Sequence, residues 1–140
     1  MSRYFKLEEL LTSSTARQKS IENLPSWDVI EHLNELALFL DGLREAWGSG
    51  IKVTSGFRNE KLNASVGGVK NSVHILGYAA DIVPANGRFK EFVKFVQTWA
   101  KNKSYDQIII EENKKSRWIH VGLWNNKHQQ RKMCFLMNVK

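Results

Sequence analysis

Between Pro25 and the glycines at 48 and 50, the apolar residues Val29, Leu33, Leu36, Leu40, Leu43 and Trp47 recur at intervals of four and three. That is the period of one face of an α-helix, and a strand, which alternates every two residues, cannot present it. Ser26 stands where an N-cap is needed, Asp28 falls in the first turn, and the glycines end the run. A long helix with one continuous apolar stripe has to lie against a core, and 140 residues suffice to build a single core around it. One domain spanning residues 1–140 is therefore expected, with His32 beside the stripe as a packing or surface residue rather than a ligand.

After this helix the period changes. Ile51 and Val53 fit a short strand that stops at Ser55-Gly56, and Arg58 follows directly. Two short helices, 3–11 and 14–21, precede the long one, with Ser13 or Ser14 as an N-cap. Residues 59–65 read as a helical turn closed by Gly67-Gly68, and the stretch around His74 as a loop entering a strand from Ala79 to Val83. Asn86 is placed to cap a helix carrying Phe89, Phe92, Val93, Val96 and Ala100. Finally DQIIIEE and RWIHVGL, rich in β-branched residues and joined by NKKS, have the form of a hairpin. The order predicts an α+β fold with a small antiparallel sheet packed against helices.

The excess charge is confined to one half: residues 1–70 hold nine basic and nine acidic residues, and residues 71–140 hold twelve and five, which accounts for the net +7. KKSR at 114–117 and NKHQQRK at 126–132 carry most of it, a bias that suits an anionic partner or a solvated basic face equally. The single cysteine, Cys134, cannot form an internal disulfide and is expected as a free buried thiol. No apolar run approaches a membrane span, and the N-terminus MSRYFKLEELL lacks the features of a signal peptide, so cytoplasmic synthesis and no membrane partner are expected.

The chemistry concentrates in NSVHILGYAAD, residues 71–81, and in RWIHVGL. His74, Asp81 and His120 together offer two imidazoles and a carboxylate, a donor set that leaves a fourth position of a tetrahedral zinc for water. Gly77 lets the chain turn back and the small Ala79 and Ala80 allow close packing, so a loop histidine and a strand aspartate can converge on one ion. On residue types alone this triplet and a set of unrelated polar side chains both remain open.

The stretch SVHILGYAAD follows the pattern S-x-H-x-x-G-x-A-x-D. With TSGFR before it and WIHVG after it, the sequence resembles the M15 zinc peptidases, the D-Ala-D-Ala carboxypeptidases and related phage endolysins, most closely their small single-domain subgroup. The likeness extends from FKLEELLTSSTA through LNASVGG to DQIII, and three ordered blocks are more specific than one motif. The resemblance implies a hedgehog/DD-peptidase-like fold, one Zn²⁺ per chain held by His74, Asp81 and His120, and substrate contacts from Arg58 and Ser72. An arginine suits a peptide carboxylate because its fork bonds both oxygens.

Many of these enzymes carry an acidic residue three positions before the last histidine, where this chain has Arg117. Glu111 and Glu112 are the remaining candidates for the general base. With NKKS as a four-residue loop, Glu111 opposes Trp118 and shares a sheet face with His120, while Glu112 opposes Arg117; a loop one residue longer or shorter reverses this. The resemblance implies hydrolysis of a peptide bond in bacterial cell-wall stem peptides by a metal-activated water, with Glu111 accepting its proton. The bond is a terminal D-Ala or an internal L-Ala-D-Glu or cross-link, and the expected setting is that of a monomeric phage or prophage lysin reaching the wall after release. Two other readings stay in view: a zinc-binding module without catalysis, left open by Arg117, and a basic nucleic-acid-binding domain, for which no recognition motif is present. His128 reads as a surface residue.

Overall fold

The computed structural model describes residues 2–139. Its long helix is the one the stripe demanded: α1 (Leu7–Leu11) and α2 (Ser14–Gln18) precede α3 (Trp27–Trp47), which starts with the Ser26 side chain accepting from the Val29 N–H and ends at Gly48 with φ 76°. Leu33, Leu36, Leu40 and Leu43 on its inner face are all at most 1% exposed. The strand β1 (Ile51–Ser55), the short helix α4 (Glu60–Ser65), the strand β2 (Ala79–Pro84) and the helix α5 (Phe89–Trp99) follow in the expected order. The hairpin is β3 (Gln107–Glu112) and β4 (Arg117–Gly122), paired with Glu112 opposite Arg117 and Glu111 opposite Trp118. The fold is α+β.

Four details differ from expectation. The sheet has five strands in the order β1-β2-β4-β3-β5, because Met133–Asn138 forms a further strand, β5, lying parallel to β3. It is a mixed sheet, antiparallel except at this edge. MCFLMN follows a basic run and has neither the alternation nor the β-branched content that marks a strand, and its pairing with β3 spans more than twenty residues of chain. Because β5 is the outermost strand, Cys134 is exposed rather than buried. Asn86 does not cap α5; its side chain accepts from the Arg88 N–H within the turn before the helix, and the stretch read as a loop includes a 3₁₀ turn at Val73–Leu76.

Strand alternation then separates core from cleft. Ala80 and Ile82 of β2, Ile108 and Ile110 of β3, and Ile119 and Val121 of β4 point to one face and join α3 and α5 in the apolar core. Asp81, Ile109, Glu111, Trp118 and His120 point to the other. Both faces are specified at once, since a one-residue slip in any strand would exchange them. His32 packs as expected, with Nδ1 bonded to the Leu76 carbonyl at 2.7 Å and its ring stacked on Tyr78. Among the described residues, no helix is long and apolar enough to cross a membrane.

Candidate metal centre

The site lies on the face of the sheet that the helices leave open. Asp81 of β2 and His120 of β4 are direct partners in the antiparallel register, which brings His120 Nδ1 to 3.1 Å from Asp81 Oδ1. His74 arrives from the 3₁₀ turn before β2, with Nε2 at 3.4 Å from the same oxygen. Among the described residues, His74, Asp81 and His120 form a group able to hold a metal ion, with one ligand atom from each lying within 4.8 Å of the others. Ligand atoms around a tetrahedral zinc with bonds of ~2.0–2.1 Å lie about 3.3 Å apart, so two imidazole nitrogens and a carboxylate at these separations fit such an ion.

The local chain explains how His74 is aimed. Gly77 closes the 3₁₀ turn at φ 81°, and a Cβ there would stand only 3.0 Å from the Val29 side chain and carbonyl. Nδ1 of His74 donates to the Gly56 carbonyl at 2.7 Å, which leaves Nε2 unprotonated and directed at Asp81, the orienting bond that metal-binding histidines commonly have. Gly56 has no room for a side chain because a Cβ would collide with the Leu10 backbone. The neighbouring segment is tied down in turn: Phe57 N–H donates to the Leu10 carbonyl, Arg58 N–H to the His74 carbonyl, and the Asn23 amide to the Phe57 carbonyl.

Burial lowers the proton affinity of His74, against the pull of Asp81, so the ring stands neutral. Burial alone would raise Asp81, but the two histidines outweigh it and hold the carboxyl well below the usual carboxylate range. A neutral imidazole at His74 and an ionised carboxylate at Asp81 are protonation states that metal binding requires.

A cleft of about 890 Å³ opens over this group. All six residues singled out from the sequence line it: His74, Asp81, His120, Glu111, Arg58 and Ser72. Arg58 donates to Ser72 Oγ at 3.3 Å, while its buried Nε has no hydrogen-bond partner among the described residues. Burial raises the Glu111 carboxyl, with Asp81 adding to this and His120 opposing it. Glu112 is not among the cleft residues, as the four-residue loop predicted, and His128 is exposed and stacked on Trp124.

The family described as Peptidase M15 matches residues 3–122. The chain belongs to that family. M15 peptidases are zinc-dependent, so membership implies a metallopeptidase, and the His–Asp–His group is where an M15 chain of this geometry can hold its metal. A search of curated proteins finds no match.

Two features of this M15 site were not visible in the sequence. Gly56 acts through its carbonyl, which no residue type betrays. The far wall of the cleft, including Lys127, Arg131 and Met137, comes from residues beyond the family match, and Arg131 is fixed there by two bonds to the buried Asp106, at 2.7 and 2.9 Å.

Proposed function

We propose that the protein is a zinc peptidase that hydrolyses an amide bond in the stem peptides of bacterial peptidoglycan. The observation that carries this reading is the joint placement, in one cleft of an M15 chain, of a His–Asp–His group, a half-buried glutamate and an under-bonded arginine.

His74, Asp81 and His120 hold the ion in this reading. Zinc bound there supplies a Lewis acid that lowers the pKa of a water from 15.7 toward ~7 and polarises the scissile carbonyl. Glu111, whose carboxyl burial raises above its ordinary value, takes the proton of the attacking water and returns it to the leaving amine. Arg58 and Ser72 bind a substrate carboxylate: Arg58 makes a single side-chain bond, to Ser72, and so retains donors for a bidentate contact. Either a terminal D-Ala carboxylate or the carboxylate of D-Glu satisfies that contact, so carboxypeptidase and endopeptidase action are both compatible with it.

Arg117 does not weigh against catalysis. Its neighbour Trp118 faces the cleft, so Arg117 faces the other way, and its guanidinium lies over the Phe89 ring at 4.8 Å. A side chain at 117 does not compete with Glu111 for the role.

The test is metal content together with amine release from purified peptidoglycan, for the wild type, His120→Ala and Glu111→Gln, with products identified by mass. About one zinc per chain is expected, with cleavage lost in His120→Ala and reduced by about 10²–10⁴-fold, with zinc retained, in Glu111→Gln. Zinc without cleavage of any wall substrate would leave a binding module, and absence of zinc would end the peptidase reading.

A further inference from the structure

We propose that Trp118 is a positioning residue that holds the Glu111 carboxylate in register for proton transfer; the inference rests on Glu111 being the base. The sheet itself sets the pair up. Trp118 and Glu111 are direct partners across β3 and β4 and point to the cleft face, and the indole Nε1–H donates to Glu111 Oε2 at 2.9 Å. It is the one hydrogen bond to that carboxylate among the described residues. On the other side of Glu111, Met137 of β5 is its register partner, so the glutamate stands between an indole and a thioether.

The chemistry of the donor matters. An indole N–H donates only and does not titrate in water's working range, so it can steer a carboxylate without competing for the proton. A bond to Oε2 leaves Oε1 for the proton, and it removes rotational freedom from a side chain that otherwise has three flexible torsions. The bond is sheltered, since both side chains are only partly exposed, and charge-assisted bonds of this kind are stronger than neutral ones. Trp118 is also two residues from His120 on the same strand face, so one stretch of β4 places a proposed ligand and aligns the proposed base.

Trp118→Phe keeps the ring and removes the donor. In the zinc-loaded protein acting on peptidoglycan peptides, kcat is expected to fall about tenfold with KM and zinc content unchanged. In a double-mutant cycle read on the residual activity of Glu111→Gln, the same substitution is expected to cost nothing further, because the basic carboxylate that the indole aligns is already gone. A packing role would instead raise KM or lose metal, and its cost would add to that of Glu111→Gln; either result overturns the proposal. A second readout does not need activity: in a ¹H–¹⁵N spectrum, Glu111→Ala should shift the Trp118 indole resonance while Glu112→Ala leaves it in place, and an unmoved resonance in Glu111→Ala also overturns it. Absence of hydrolysis by the wild type would sink the peptidase reading and this role together, whereas hydrolysis with additive losses would sink the positioning role alone.

Discussion

Alanine at position 56 would drive a Cβ into the Leu10 backbone, and since a backbone atom cannot swing aside, the segment carrying the Gly56 carbonyl has to move. That carbonyl fixes the His74 ring. Gly56→Ala is therefore expected to destabilise the fold by about 2 kcal/mol or more and to weaken zinc binding roughly 10–100-fold, measured by thermal melts and by zinc titration. A second residue-scale expectation concerns pH. Folding lowers the His74 proton affinity, so below about 6.5 the unfolded chain takes up a proton that the folded one resists. The metal-free protein should lose stability as pH falls from 7 through 6 toward 5, seen as a falling Tm in the presence of a chelator. Asp81 acts lower: its depressed value gives stability that is complete above about 4 and lost only as pH drops further.

At the scale of elements, the hairpin β3–β4 decides which glutamate meets the site. Restoring an acidic residue at 117 is expected to do nothing for a Glu111→Gln enzyme, since position 117 faces Phe89 and α5 rather than the cleft; recovery of more than a tenth of wild-type kcat in the double variant would contradict this. This hairpin was legible because everything that sets it is local: four loop residues, two β-branched runs and strict alternation. The α3 stripe was legible for the same reason. The pairing of Asp81 with His120 was not, because β4 inserts between β2 and β3, and nothing in either segment names its partner. Nor was β5, whose Met-rich sequence becomes a strand only because β3 offers it an edge. The proposed ligands were named from motif spacing and resemblance, and the register that brings two of them together came from the fold.

For the whole molecule, the three proposed metal ligands tie together the 3₁₀ turn, β2 and β4, elements that have no covalent crosslink. An ion binding only the folded state adds stability by mass action, roughly 2.7 kcal/mol at a hundredfold excess over Kd. For a chain of 140 residues that corresponds to a rise in Tm of about 8 °C. The rise should vanish in His120→Ala, and a zinc-independent Tm in the wild type would contradict the proposed centre.

The parallel strand at the sheet edge also has a meaning in time. During synthesis the chain is made from its N-terminus, so His74, Asp81 and His120 are all translated before Met133. Lys127, Arg131 and Met137 follow, and only when β5 docks on β3 does the cleft gain its far wall. The proposed metal site thus draws only on chain translated before the residues that wall the cleft's far side.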